Sequence, residues 1–325
     1  MIGTWSDFVG NVLSNIVSAA VCLTVPLLLV FGLYYRPGRR RLRRFFGITD
    51  RRHSTIQVRL SNIYVKPAGS LSPLSIGHGF IGPAINATEY EYALELAEAV
   101  KSRPFAGQAY ALLEQFGVEA MNRPVACEIS PSIDYVDVPH HRIDEHKPVD
   151  FDNDQKLVGE IGRTLSAHRT LVLVGSPVYN VLTHFVLSNC GDQTRIQFVE
   201  SKSEPGHAAS GVEVFGFHHT GASESLQRRE TQVGDTTMYE EYFALQKITN
   251  WNGGRTTIFV CAGTSTAATA AALTRLAKWG ELADTFGMGP FTVVYSVRTI
   301  DREMPGTTEE RHAPWHVSRV WPPER

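Results

Sequence analysis

The stretch Arg255 to Phe286, RTTIFVCAGTSTAATAAALTRLAKWGELADTF, constrains the fold more than any other part of the chain. Its β-branched, apolar start, Thr256 to Val260, reads as a short buried strand. The glycine turn Ala262-Gly263-Thr264 follows directly, and the small residues from Ser265 to about Leu276 demand a closely packed helix. A strand, a tight turn and a hydroxyl-rich helix start leave backbone N–H groups pointing out of the sheet's carboxyl edge, where phosphate or carboxylate binds readily. The same order recurs over Thr170 to Asn189, TLVLVGSPVYNVLTHFVLSN. Two such units predict an α/β fold with a Rossmann-like, mostly parallel sheet and helices on both faces.

Composition narrows the function classes. The 325 residues are 43% hydrophobic and 20% charged, which suits one large or two small globular units. A net charge of −2 supplies no basic field, so a nucleic-acid partner is not expected. Cys22, Cys127, Cys190 and Cys261 lie far apart without a CxxC pair and read as reduced core residues rather than a disulfide framework.

From Phe8 to Tyr35 the chain carries no charge, a length that crosses ~30 Å of hydrocarbon as a helix. Trp5, Tyr34 and Tyr35 sit at interfacial positions, and Asn11, Ser14, Asn15 and Ser18 recur near helical spacing, as a face toward a partner helix would. The arginine cluster RPGRRRLRRFF follows the apolar run, the reverse of a signal peptide. By the positive-inside rule this predicts a single-pass protein of the cell membrane, with the N-terminus outside and everything after about residue 36 cytoplasmic. The arginines then read as a topology determinant rather than a lipid-specific site.

The expected organisation is a transmembrane anchor with its Arg-rich flank (1–46), a first α/β segment (54–138), a polar linker (139–151), a second Rossmann-like segment (152–300) and a surface or frayed tail (301–325). Residues 54–65 alternate as a strand, and Asn86 with Glu89 forms a capping-box pattern before EYALELAEAVKS. Gly77, Gly79 and Gly82 spell GxGxxG, but they lie far from the preceding strand and Pro83 intervenes, so a flexible loop is the better reading than a dinucleotide fingerprint. His140, His141 and His146, near Asp144 and Glu145, match neither zinc-finger spacing nor HExxH, so no metal is expected. Residues 218–237 read as a polar loop, a lid or an edge excursion. Met238 to Trp251 reads as a strand in a hairpin with Arg255–Cys261.

Candidate ligand-binding residues follow from the two turns: Gly175, Ser176, Tyr179 and Asn180 in the first, Gly263, Thr264, Ser265 and Thr266 in the second. Their amides and hydroxyls suit phosphate oxygens, and Asn180 suits a base or ribose edge. The alternative is packing alone, with glycine and alanines allowing close helix–sheet contact and the hydroxyls capping the helix. No GxSxG, Walker A lysine, HExxH or SxxK set is present. Glu240 and Glu241 are the weak catalytic candidates, yet on an alternating strand one must face away from any site, and both read better as surface carboxylates.

The segments LSNIYV, GSPVYN, YEEYFALQKITN and CAGTSTAATAAAL, with a membrane helix and an Arg-rich exit, resemble an uncharacterised family of bacterial membrane-anchored proteins with a Rossmann-like cytosolic domain. More loosely, the architecture is similar to the Rossmann-like ligand-sensing domains of bacterial defence systems. The resemblance implies the fold and names no reaction. The expected function is therefore capture of a small, nucleotide-like ligand in a sensing role, with membrane lipid around the N-terminal helix and a possible homo-oligomer. The alternatives are a membrane-tethered NAD or nucleotide hydrolase using Glu240 or Glu241, and a protein-interaction scaffold using 218–237.

Overall fold

The computed structural model describes residues 5–30, 36–48, 55–64, 83–85, 87–101, 125–132, 155–177, 180–191, 195–202, 212–219, 226–233, 236–300 and 316–322. The chain opens with α1 (Trp5–Val30) and α2 (Arg36–Phe45), followed by β1 (Thr55–Leu60). A small ribbon of β2 (Asn62–Tyr64) and β3 (Pro83–Ile85) precedes α3 (Ala87–Val100) and β4 (Ala126–Pro131). Next come α4 (Gln155–Ala167), β5 (Thr170–Val174) and α5 (Val181–Asn189). β6 (Ile196–Lys202), β7 (Val212–His219) and β8 (Leu226–Gln227) form a separate antiparallel sheet. β9 (Arg229–Val233), β10 (Thr236–Ile248) and β11 (Thr257–Gly263) then lead to α6 (Thr266–Ala277), α7 (Trp279–Phe286), β12 (Phe291–Ile300) and β13 (His316–Trp321).

The main sheet is eight-stranded, ordered β13-β12-β10-β11-β5-β1-β4, with β9 also on β10. β4, β1, β5 and β11 run parallel, whereas β10 is antiparallel to β11 and β12, and β12 to β13. The fully buried runs TLVLV and TIFVCAG become the adjacent strands β5 and β11, because only a strand covered on both faces accommodates unbroken apolar sequence. Val172, Val174, Phe259 and Cys261 face α3 and α6 on one side; Leu171, Leu173, Ile258 and Val260 meet α4 and α5 on the other. The segments on either side of the polar stretch 139–151 share this one sheet, since β1 lies between β4 and β5.

Two stretches expected to be irregular contain strands. The polar residues after His218 include β8 and β9, and the tail includes β13. β9 carries exposed Arg229, Glu230, Thr231 and Gln232, and backbone pairing to β10 holds it. Polar edge strands show no hydrophobic period, so the pattern does not reveal them. Gly77, Gly79 and Gly82, Tyr179, the histidines 140, 141 and 146, and the elements expected near 107–116 and 133–138 lie outside the described residues.

α1 is a helix of 26 residues. Val9, Leu13, Ile16, Val17 and Leu23 are exposed along it. Its described side chains run only from Val9 to Thr24, and among the described residues no helix is long and apolar enough to cross a membrane.

The arginine-rich segment is a docked helix. Leu42, Phe45 and Phe46, spaced i, i+3 and i+4, are buried in the core, the Phe45 ring lying 5.4 Å from Phe259 and 6.2 Å from both Trp279 and Phe291. The Thr170 hydroxyl donates to the Phe46 carbonyl at 2.8 Å, and Arg41 reaches the Gly280 carbonyl and Asp284 on α7. Gly47 has φ +70, and a Cβ there would meet the Thr257 hydroxyl at 1.9 Å, so only glycine fits the exit from α2.

Candidate functional site at the carboxyl edge of the sheet

From β1 the chain crosses to β4 on one side and returns to β5 on the other, so the strand order reverses between β1 and β5. In open α/β sheets ligands bind outside the carboxyl ends of the strands at such a point. Ser61, directly after β1, Gly175 and Ser176, directly after β5, and Glu89, in the first turn of α3, meet there.

Glu89 is 5% exposed and Ser61 2% exposed. The Ser61 N–H donates to one Glu89 carboxyl oxygen at 3.4 Å, and the Ser61 hydroxyl lies 3.3 Å from the other and 3.1 Å from the Val174 carbonyl. Burial raises the Glu89 carboxyl from 4.5 to about 7, outweighing the two Ser61 hydrogen bonds that pull it down. An acid that titrates near neutrality at a sheet's switch point has the properties of a proton donor, a proton acceptor or a ligand-sensing group. The sequence pattern placed Glu89 in a capping box; Asn86 lies outside the described residues, and the Glu89 carboxyl turns to Ser61 instead. An acidic residue three positions into a helix following a β-ribbon was the available signal, and its burial is a tertiary fact.

The first turn is shaped by close approach. Gly175 has φ +104, its N–H donates to the Cys261 carbonyl at 2.9 Å, and a Cβ on it would lie 1.9 Å from the Ser61 hydroxyl oxygen. Asn180 caps α5: its Oδ1 accepts from the N–H groups of Leu182 and Thr183 at 3.0 and 3.2 Å. Its amide nitrogen donates to the carbonyls of Val174 and Arg59 at 2.8 and 3.1 Å, tying α5 to β5 and β1. Asn180 thus positions the edge rather than offering its own amide to a ligand. The Ser176 hydroxyl is buried at the turn and has no protein partner among the described residues.

The second turn is committed differently. A Cβ on Gly263 would lie 2.5 Å from the Thr269 backbone nitrogen, so glycine is what lets α6 sit against β11. The Gly263 and Thr264 N–H groups donate to the Thr269 hydroxyl and the Tyr242 carbonyl, and the Thr264 hydroxyl accepts from the Tyr242 N–H. Ser265 caps α6 through the Ala268 N–H and donates to Glu241, while Thr266 is the exposed first residue of the helix. Glu241, expected at the surface, is fully buried and also faces Arg228 at 3.6 Å. The reason is pairing: Arg228 and Ser265 offset a carboxylate that strand alternation turns inward. Glu240 is half-buried on the opposite face, beside Tyr242, whose hydroxyl is raised by burial first and by Glu240 next.

Cys190 and Cys261 are buried, and burial pushes Cys261 upward and Cys127 to about 12, so neither of these two thiols is an activated nucleophile. Among the described residues no His, Cys, Asp and Glu group could hold a metal ion. Comparison with protein-family models, curated proteins and solved structures finds no match to this chain.

Proposed function

We propose that this is a single-pass membrane protein, with its N-terminus outside, whose cytosolic Rossmann-like domain senses a small nucleotide-like ligand at the β1/β5 edge. The observation that carries the reading is the buried Glu89–Ser61 pair at the reversal of strand order, with Gly175 against Ser61 and the next residue's hydroxyl, Ser176, without a protein partner among the described residues. A carboxyl group suits ribose hydroxyls, and a serine hydroxyl beside a helix N-terminus suits phosphate. The uncharged run around α1 and its arginine-rich exit support the membrane placement, and the polar face of α1 supports self-association as the route by which capture is relayed. The resemblance to membrane-anchored and ligand-sensing Rossmann-like proteins points the same way.

The hydrolase reading is carried better by Glu89 than by Glu240 or Glu241. Glu241 is bound to Ser265 and paired with Arg228, whereas Glu89 has the acid–base character turnover requires.

The test is thermal unfolding of the full chain in detergent against a panel of nucleotides that includes NAD and cyclic dinucleotides. A ligand at 100 times its dissociation constant stabilises by about 2.7 kcal/mol. A hit abolished by Ser176→Val and made pH-independent near neutrality by Glu89→Gln supports the site. No shift across the panel overturns the nucleotide reading, and a hit indifferent to both substitutions moves the ligand elsewhere.

A further inference from the structure

We infer that the outward face of α2 docks on an anionic lipid surface and holds the domain with the amino edge of its sheet toward the bilayer and the β1/β5 edge away from it. The inference rests on the membrane reading of α1 and goes beyond it, because a topology signal needs positive charge near the membrane but no fixed seat for it.

The seat is the first observation. Leu42, Phe45 and Phe46 bury one side of α2 against the domain, and a turn of 3.6 residues puts Arg40 and Arg44 on the opposite side. Both are exposed, and neither makes an ion pair among the described residues. α2 has six arginines and no acidic residue in its first turn. The acids of the adjoining α7 are already matched: Asp284 pairs with Arg41, and Glu281 with Arg275 at 2.6 Å. Positive charge is therefore left over on the outer face of a helix docked to the domain, a few residues after the uncharged run in the sequence. An anionic headgroup layer is the partner that complements it, since such surfaces attract polybasic segments adjoining a membrane helix.

Position is the second observation. The carbonyl of Phe46, one residue beyond α2, receives the hydroxyl of Thr170, and Gly47 packs on Thr257. These threonines are the first residues of β5 and β11. Ser61, Ser176 and Glu89 lie at the other end of the parallel strands, about 15–20 Å away at ~3.3 Å per residue. A bilayer beneath α2 leaves the candidate ligand edge facing the aqueous phase.

The test uses the full chain, in a Cys22→Ser background, reconstituted into vesicles of phosphatidylcholine alone or with phosphatidylglycerol. An environment-sensitive dye is placed at Thr285→Cys, exposed on α7 beside α2, or at Glu91→Cys, exposed in the part of α3 near the carboxyl edge. Quenching by a headgroup nitroxide lipid is then measured. Quenching at position 285 is expected to rise about twofold or more with phosphatidylglycerol and to fall back in high salt or in Arg40→Gln/Arg44→Gln, while position 91 stays unquenched. Equal quenching at 285 in both vesicles, or a rise that survives the double substitution, overturns the docking. A chain that floats with neither vesicle overturns the membrane reading itself, and flotation without the change at 285 overturns the docking alone.

Discussion

The Ser61 hydroxyl lies 3.3 Å from Oε1 of Glu89, and the same hydroxyl lies 3.1 Å from the Val174 carbonyl. It carries one proton and cannot donate to both. With Glu89 protonated, the acid donates to Ser61 and Ser61 to Val174. With Glu89 ionised, Ser61 turns to the carboxylate and leaves Val174 to the Asn180 amide. The protonation of one buried acid is thereby connected to the seam between β1 and β5.

The first prediction concerns pH. Glu89 titrates near 4.5 in the unfolded chain and at about 7 in the fold. Between those values the folded state binds more protons, so this group's contribution falls as pH rises through the window. Glu89→Gln, which keeps the shape of the protonated acid, is expected to be more stable than the parent at pH 8 by roughly 1–3 kcal/mol and nearly equal to it at pH 4. Urea midpoints across pH 4 to 8 check this; parallel curves for the two proteins contradict it.

Gly175 supplies the second. Gly175→Ala places a Cβ 1.9 Å from the Ser61 hydroxyl oxygen at a φ of +104, and is expected to cost about 2–4 kcal/mol. Adding Ser61→Ala removes the clashing oxygen and leaves the backbone strain. A double-mutant cycle in chemical denaturation is expected to recover about 1 kcal/mol or more. Strict additivity would show that the two residues do not meet.

Lys247 is 1% exposed, donates to the Met288 carbonyl at 2.6 Å and lies 4.7 Å above the Phe45 ring, with no carboxylate partner among the described residues. Burial lowers it from 10.5 to about 8. The unfolded chain binds more protons between those values, so the parent gains stability as pH rises from 8 toward 10.5. Lys247→Met fills the site without a charge and is expected to stabilise by about 1–2 kcal/mol at pH 7, a gain that shrinks by pH 10. Thermal midpoints at the two pH values measure it, and a destabilised variant at pH 7 would show that the amine serves the seat of α2.

Glu241→Ala leaves Arg228 half-buried without its carboxylate and takes the acceptor from the Ser265 cap of α6. The expected loss is about 2–4 kcal/mol. If Glu241 were instead a functional carboxylate, a binding or turnover assay would respond to Glu241→Gln while the melting temperature stayed unchanged.

Local pattern alone carries the strands β5 and β11, the helix α6 and the β10–β11 hairpin, through unbroken apolar runs, a stretch of small residues and a short glycine connection, whereas Ser265, read as a ligand contact, turns out to cap α6. The sequence also marked Gly175 and Gly263 as positions where backbone geometry matters. What those positions do follows from packing between segments distant in the chain. Gly263 admits the Thr269 backbone, Gly175 admits Ser61, and burial beside Ser61 raises the Glu89 carboxyl to about 7. Strand order, the burial of Glu241 and the docking of an arginine-rich helix through two phenylalanines depend on contacts between residues far apart in the chain, and local periodicity carries no record of which distant surface removes a side chain from water.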